Sequence, residues 1–250
     1  CGAGIRMQWG TKRNCELSKM SVEFFENANE ILGYERDIEF NQGGYLIVAG
    51  TEEEDAQFRE NVELQNSLGI PSVYLTPKEA KEIIPYMDET KIISATFCSK
   101  DGHLNPFHTT EAYANAARRL GVEIMTFTEV TGIKVEKGKI VGVETNKGDI
   151  STPIVVNAAG GYAAVIGEMA GIDVPVYAER HQVLITEPVE PLQGPMYMGF
   201  SLNIYAQQTP HGSFIIGRGD PTEPRDLRIT SSWKFTEKMA KTTMELLPLL

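Results

Sequence analysis

The stretch Val155-Val156-Asn157-Ala158-Ala159-Gly160-Gly161-Tyr162 decides the predicted fold, because an apolar run ends there in four small residues. The run predicts a buried parallel strand whose carboxyl end leads directly into a helix over residues 162–170. Gly160 and Gly161 have no side chains, so the phosphates of a ligand could approach backbone N–H groups there. This pattern predicts one edge of a dinucleotide site. Small residues also allow a strand and a helix to pack closely, and that alternative stays open at this point.

Helices and a strand are predicted on the amino-terminal side of this stretch. Residues 16–32 carry apolar side chains at spacings of three and four, which predicts an amphipathic helix that Gly33 ends. Residues 40–49 predict a strand, and residues 52–68 predict a helix whose acidic first turn suits the helix dipole. The side chains predicted to share the inward face of the first helix are Leu17, Met20, Phe24 and Ala28.

Two further helix starts combine a capping residue with a proline. Thr76 and Glu79 form a predicted capping box with Pro77 at the first helical position. Asn105 and the proline after it predict a second start, and this helix ends before Gly121. The side chains predicted to face inward on this second helix are Tyr113, Ala116, Ala117 and Leu120.

The strands alternate with these helices, which predicts an α/β fold class of mixed α and β structure. The predicted strands after Gly121 cover residues 122–127, 133–135, 140–143, 154–158, 183–186, 204–207 and 214–217. Two interleaved domains are predicted from this order. Residues 1–25 and 91–173 form one domain with a parallel core, and residues 26–90 and 174–250 form the other, which is richer in strands and turns.

Composition and charge exclude several classes of protein. The apolar content of 42% is that of an ordinary globular chain, and no apolar stretch approaches the roughly 18 residues of a membrane span. The net charge of −11 argues against a nucleic-acid partner. The spacing of Cys1, Cys15 and Cys98 and of the histidines fits no metal site, so no metal is expected. Spread thiols and the lack of a cationic leader predict a cytoplasmic location.

Neither end of the chain has the character of a natural terminus. The sequence opens on Cys1 instead of methionine and closes on the apolar residues 246–250. This pattern predicts that the chain is the central region of a longer protein.

Several ordered motifs resemble the family of FAD-dependent amino-acid and amine oxidoreductases that includes glycine oxidase, D-amino-acid oxidase and sarcosine oxidase. The opening CGAGIRMQW of residues 1–9 is most similar to the β subunits of sarcosine oxidase and dye-linked L-proline dehydrogenase. The other motifs are DGHLNP (101–106), AARRLGV (116–122), TEV (128–130), VVNAAG (155–160), RHQVL (180–184) and HGSFIIG (211–217), with Tyr205. Two family features are missing, namely the opening strand with its GxGxxG turn and the closing segment of the flavin pocket.

The resemblance implies a set of cofactor-binding residues for FAD. Residues at the start of the chain would pass the flavin, Val130 would meet the adenine through its backbone, and the small residues after Asn157 would line the ADP half. The implied FAD-binding residues are Gly2, Gly4, Arg6, Gln8, Val130, Ala158, Ala159, Gly160 and Gly161. The first predicted domain is then part of a Rossmann-like FAD-binding domain, and the second is a substrate domain.

The resemblance also implies three catalytic candidates. Arg6 would face the flavin ring or a substrate carboxylate, Tyr205 would lie over the active site, and Arg218 would bind a carboxylate. Each has an ordinary structural alternative. Arg6 can be a surface arginine, Tyr205 can be half-buried packing, and Arg218 can pair with Asp220 in a turn.

The implied function is oxidation of the C–N bond of a small amino acid or secondary amine of the sarcosine, proline or glycine type, by hydride transfer to flavin. Partners would be the amine substrate and other subunits of a hetero-oligomer. A second hypothesis is a non-catalytic fragment or subunit that supplies a substrate domain and a partner surface without flavin. A third, an NAD-dependent enzyme, has no fingerprint in this sequence.

Overall fold

The computed structural model describes residues 2–250 and divides the chain into two compact units. Unit 1 comprises the residues up to Val122, Gln182–Gly219 and Ser232–Leu250, and unit 2 comprises Glu123–His181 and Asp220–Ser231. This division by packing differs from the predicted domains, because residues 26–90 stay with the first 25 in unit 1. The assignment of an FAD-binding and a substrate domain remains a prediction.

The described chain alternates between helices and strands, and the predicted mixed α/β class is confirmed. The strands are β1 (Gly4–Ile5), β2 (Tyr45–Ala49), β3 (Ser72–Leu75), β4 (Ser94–Cys98), β5 (Gly102–His103), β6 (Val130–Glu136), β7 (Lys139–Thr145), β8 (Ile150–Ser151), β9 (Val183–Ile185), β10 (Met196–Gly199), β11 (Ile204–Gln208) and β12 (Phe214–Gly217). The α-helices are α1 (Lys12–Glu26), α2 (Ala28–Ile31), α3 (Glu52–Ser67), α4 (Pro77–Ile83), α5 (Pro106–Arg119), α6 (Ala163–Met169) and α7 (Trp233–Leu246). Short 3-10 helices cover Glu89–Lys91 and Gly160–Tyr162.

A seven-stranded mixed sheet forms the centre of unit 1, in the order β3-β4-β2-β10-β11-β12-β9. Strands β2 and β10 pair in parallel, and the other neighbours pair antiparallel. Side chains alternate between the two faces. Those of Leu46 and Val48 join a buried cluster with Met239 and Leu247 at the carboxyl end of the chain. The opposite face, which we call the site face, carries Tyr45, Ile47, Met196, Met198, Tyr205 and Gln207.

The long amino-terminal helix differs from its prediction in both extent and orientation. It breaks at Asn27 into α1 and α2. Leu17 and Met20 are exposed, whereas Ala28 is buried and Phe24 packs against the same cluster as predicted. The buried side chains of α1 are Cys15 and Val22. They pack with Met7, Ile70 and Cys98, which is the contact that joins residues 1–25 to the next part of unit 1.

The predicted capping box at the start of α4 is confirmed. The Thr76 side chain accepts from the Glu79 backbone N–H, and the Glu79 carboxylate accepts from the Thr76 backbone N–H at 2.8 Å. We expect Thr76→Ala to lower the free energy of unfolding by about 1 kcal/mol, the usual contribution of such a cap. Urea unfolding measures this loss. The exposed Thr110→Ala on α5 is the control, and an equal effect of both substitutions would contradict the capping role.

Helix α5 begins as predicted, because the Asn105 side chain accepts from the backbone N–H groups of Phe107 and His108. The prediction of its inward face was wrong for Tyr113 and Leu120, which are exposed, whereas Ala116 packs against a buried cluster as predicted. Thr109 and Ala112 are its buried residues, whereas Leu120 is 85% exposed. Residues 122–127 contain no strand, because they pair with no neighbour in the described chain.

Unit 2 contains the predicted β-meander, in which β7 pairs antiparallel with both β6 and β8. The buried parallel strand predicted over residues 154–158 is absent. Ile154 is 73% exposed and Val156 is 85% exposed. No strand among residues 2–250 pairs with this segment, so its backbone has no ladder partner. The helix predicted after it is confirmed as α6.

Candidate active site and cofactor segment

The first residues of the described chain lie across the site face of the large sheet. Strand β1 pairs antiparallel with β5, which sets Gly4 opposite His103. A Cβ atom on Gly4 would lie 1.6 Å from the Tyr45 hydroxyl oxygen, and one on Gly2 would lie 3.1 Å from Gln207 Oε1. Gly4 is therefore required by the close approach of the backbone to Tyr45, whereas a side chain at Gly2 would need only a small shift of Gln207.

Arg6 holds a positive charge on this site face. Its guanidinium carbon lies 4.1 Å from the centre of the Trp9 ring and 5.5 Å from that of Phe200. Its Nη1 atom lies 3.2 Å from the Met198 sulfur. Burial lowers the pKa of Arg6, and the nearby Tyr45 and Asp101 act in the opposite direction.

The Arg6 charge is available for an anionic ligand. None of the ion pairs among residues 2–250 involves Arg6. Its neighbours at close range are two rings and a thioether, which leave the guanidinium N–H donors without a carboxylate. Such a cation is suited to receive the carboxylate of a small substrate.

Tyr205 shares the site face with Arg6. Its Cα partner on β10 is Met198, the residue whose sulfur contacts Arg6. Its ring lies over Gly217, where a Cβ atom would be 2.2 Å from the Tyr205 hydroxyl oxygen. Burial raises the pKa of Tyr205, so the hydroxyl stays protonated and can act as a donor at neutral pH.

The structure does not bring Arg218 to the same place. Arg218 follows Gly217 at the end of β12, and successive residues of a strand point to opposite faces. Its Nη1 atom lies 3.4 Å from Thr242 Oγ1 on α7, the helix that covers the other face. Its assignment as a carboxylate ligand stays a prediction that this placement does not support.

Gln8, another predicted cofactor residue, is buried as an internal anchor. Its Nε2 atom donates to the Tyr45 carbonyl at 3.1 Å and to Asp101 Oδ2 at 2.9 Å. The Met7 backbone N–H donates to Asp101 Oδ1 at 2.8 Å. Asp101 is not among the predicted site residues, although it opens the DGHLNP motif.

The small residues predicted to meet the ADP half of FAD form an open turn in unit 2. Asn157 shapes the turn, because its Oδ1 accepts from the Ala159 N–H and its Nδ2 donates to the Ala163 carbonyl. Gly160 has a φ of +55°, and no atom lies within 4 Å of the place where its Cβ would be. The open backbone at Gly160 fits the approach of a phosphate-bearing group of FAD. Gly161 is not open in the same way, because a Cβ atom there would lie 3.2 Å from the Ala178 Cβ.

Val130, the residue predicted to meet adenine, opens β6. It pairs with Thr145, and the register shifts between Val130 and Gly132. The shift is a bulge or irregularity that interrupts regular pairing beside Val130.

The described residues contain neither a metal-binding cluster nor a membrane-spanning helix. Within residues 2–250, no group of three or more His, Cys, Asp or Glu side chains could hold a metal ion. No helix in that part of the chain has the length and apolar character that crossing a membrane requires.

Arg6 on the site face of unit 1 and the open turn at Gly160 in unit 2 are the two features described above that suit an anionic ligand. The family model described as DAO, FAD dependent oxidoreductase, matches residues 1–250, and the chain belongs to this family. The predicted family and its FAD cofactor are thereby confirmed.

Curated relatives include sarcosine-oxidising proteins. The chain is 29% identical over 223 residues to sarcosine oxidase subunit beta of Arthrobacter sp, covering 87% of this chain and 55% of the relative. It is 30% identical over 187 residues to human mitochondrial sarcosine dehydrogenase, covering 70% of this chain and 20% of the relative. The chain therefore spans little more than half the length of the first of these proteins.

Solved structures with the same fold include two amino-acid oxidoreductases. L-proline dehydrogenase from P. horikoshii superposes with a TM-score of 0.92 at 37% identity, covering all of this chain and 67% of that one. Glycine oxidase from Geobacillus kaustophilus superposes with a TM-score of 0.82 at 20% identity, covering 99% of this chain and 67% of that one. The second likeness concerns the fold alone.

Proposed function

We propose that this chain belongs to an FAD-dependent enzyme that oxidises the C–N bond of a small amino acid or secondary amine of the sarcosine, proline or glycine type. The observation that carries the proposal is Arg6, a cation without a carboxylate partner that lies between Trp9 and Phe200 on the site face. Tyr205 lies on the same face, opposite Met198 on the neighbouring strand. The names of the relatives agree with this substrate class.

The residues of this chain would bind and orient the substrate. Arg6 would hold the carboxylate, and Tyr205 would supply a hydroxyl near the amine. Phe200 and Met198 would exclude water, which favours the neutral amine whose nitrogen electron pair assists loss of hydride from the adjacent carbon. The amine becomes an imine by losing that hydride and a proton from nitrogen. Bound FAD supplies the hydride acceptor.

Each unit has its own candidate residues for FAD. The backbone of residues 158–161 and of Val130 would meet the ADP half of FAD in unit 2. In unit 1, Gly2, Gly4 and Arg6 would lie beside the flavin, whereas Gln8 would act through the anchor that it forms with Asp101 and Tyr45.

We also propose that the protein is a subunit of a hetero-oligomer and that it is cytoplasmic. A role within a hetero-oligomer is supported by the relatives named as beta subunits of sarcosine oxidase. A cytoplasmic location is supported by Cys15 and Cys98, which are both buried as free thiols.

The first test is an absorption spectrum of the purified chain after FAD is added and the excess removed. Retained flavin bands that sarcosine, L-proline or glycine bleaches under anaerobic conditions are the expected result. Dimethylamine and pyrrolidine are the matched controls, because they keep the secondary amine of sarcosine and proline but lack the carboxylate. A chain that releases all added FAD would instead support the flavin-free subunit of the second hypothesis.

We expect Gly160→Ala to weaken retention of FAD about tenfold or more, because a methyl group would occupy the open turn. Gly171→Ala is the matched control, since Gly171 also has a positive φ (+70°) and open space around its Cβ position. Both substitutions put alanine in the left-handed region and should cost about 1 kcal/mol of stability. Titration with FAD, followed by fluorescence, measures the affinity of each variant and so separates a loss of FAD binding from the shared loss of stability. Equal affinities would contradict the assignment of this turn.

A further inference from the structure

Asp101 is a fully buried acid that ties three parts of unit 1 together. Its Oδ1 accepts from the Met7 N–H and its Oδ2 from Gln8 Nε2, at 2.8 and 2.9 Å. Its carbonyl accepts from the Gly44 N–H at 2.9 Å, just before β2. Both side-chain partners follow Arg6 directly in the sequence. The carboxylate therefore holds the segment from which Arg6 projects.

We propose that Asp101, as a carboxylate, is the positioning residue for Arg6, and that protonation of Asp101 releases the Arg6 segment from its active arrangement. This inference rests on the proposed function only where it concerns turnover. The claim that ionised Asp101 holds the Arg6–Gln8 segment in place is independent of that function.

The hydrogen-bond pattern explains why the charged form is needed. A carboxylate accepts at both oxygens, whereas a carboxylic acid has one O–H that would point at a donor. Gln8 Oε1 is buried without a partner. Rotation of the Gln8 amide would let Oε1 accept from the acid, but Nε2 would then leave Asp101 and the Tyr45 carbonyl. Protonation thus favours a rearranged segment.

The groups around Asp101 determine the pH range over which its carboxylate is protonated. Burial raises the pKa of Asp101 to about 6, opposed by hydrogen bonds from Gln8 and Met7 and the Cys98 side chain and by the Arg6 charge. Tyr45 and Cys98 also face it. Burial raises the pKa of both groups, so both are neutral near pH 6. Burial lowers the pKa of His103, two residues further along the chain, from its usual value near 6.5, so His103 is the second group that can change charge near or below pH 6.

Trp9 reports on the segment directly. Its Nε1 atom donates to the Arg6 carbonyl at 2.9 Å, and the Arg6 guanidinium carbon lies 4.1 Å from the centre of its ring. The sequence has 2 tryptophans, so Trp233→Phe on exposed α7 leaves Trp9 as the single fluorophore of its kind. In this background, we expect Trp9 emission to titrate with a midpoint near pH 6. Asp101→Asn should abolish the transition and show the acid-form emission at every pH.

Two variants serve as controls for the titration. Asp88→Asn alters a carboxylate that also accepts two hydrogen bonds, from the Thr90 N–H and hydroxyl, but caps a distant turn. His103→Asn tests whether the neighbouring imidazole causes the transition. Both should retain it. A flat Trp9 titration, or a transition that persists in Asp101→Asn, would overturn the proposal.

Two further measurements extend the test. If Asp101→Asn does not fold, hydrogen exchange of the Met7 amide decides the matter: its protection factor, the observed rate corrected for the intrinsic rate at each pH, should fall below pH 6 more than those of neighbouring amides, and no such difference would overturn the proposal. In an active holoenzyme, Asp101→Asn should raise KM for the amino acid about tenfold and remove the acid limb of kcat/KM, with partial rescue by Asp101→Glu. Absence of amine oxidation would refute the proposed function, while Trp9 would still decide the role of Asp101.

Discussion

Gly102→Ala is expected to lower the free energy of unfolding by about 3 kcal/mol, at the upper end of what overpacking costs. The added Cβ would lie 2.0 Å from the Asn41 carbonyl oxygen and 2.9 Å from the Gln42 Cα atom. These are backbone atoms, so no rotamer change relieves the contact. The flanking hydrogen bonds between Asn41 and His103, at 2.8 and 3.0 Å, would have to break or shift.

The substitution should also disturb the site face, because β5 carries β1 and therefore Arg6. Gly194→Ala is the matched control, since Gly194 has no strained φ and no atom within 4 Å of its Cβ position. Gly194→Ala should change the free energy of unfolding by less than about 0.5 kcal/mol. Thermal and urea unfolding of both variants measure the difference. Similar stabilities of the two variants would contradict a close contact between residues 41–42 and β5.

Arg6→Ala is expected to reduce kcat/KM for an amino-acid substrate about 100-fold. Loss of a charge-assisted hydrogen bond costs up to about 3 kcal/mol, and each 1.4 kcal/mol is tenfold in rate or affinity. If Arg6 only binds the carboxylate, the change should fall mainly on KM. Steady-state kinetics on the FAD-loaded enzyme, with L-proline against pyrrolidine, measure the effect. Turnover of the amine without a carboxylate should change little.

Arg59→Ala is the matched control for this prediction. Arg59 also lies 4.1 Å from the centre of an aromatic ring, that of Tyr74, but it pairs with Asp55 on α3. Its loss should leave the kinetics unchanged. Equal losses for L-proline and pyrrolidine in Arg6→Ala would mean that Arg6 supports the flavin side of the site instead of the carboxylate.

Features that depend on neighbouring residues could be predicted from the sequence. The capping box at Thr76, the start of α5 at Asn105 and the β-meander each rest on contacts within a few positions along the chain. The face of a helix is harder to predict, because spacing shows which side chains align but not which side meets the core. Leu120 and Met20 were placed inward for that reason and are exposed.

Features that depend on distant partners were missed. An apolar run becomes a strand only if a neighbouring strand completes its hydrogen bonds, and residues 154–158 have none among the described residues. Arg218 required knowledge of the register of β12, which decides the face to which each side chain points. Asp101 acts on residues 93 and 94 positions earlier in the chain, and no local pattern reveals such a pairing.

The burial of Asp101 creates a conflict between the stability of the fold and the proposed positioning of Arg6. An unfolded aspartic acid has a pKa near 3.9, whereas burial raises that of Asp101 to about 6. The native state therefore binds the proton more tightly, and stability falls as the pH rises from about 4 to about 6. Two pKa units correspond to about 3 kcal/mol. The ionised state that holds Arg6 in place is thus the one in which this residue most weakens the native state.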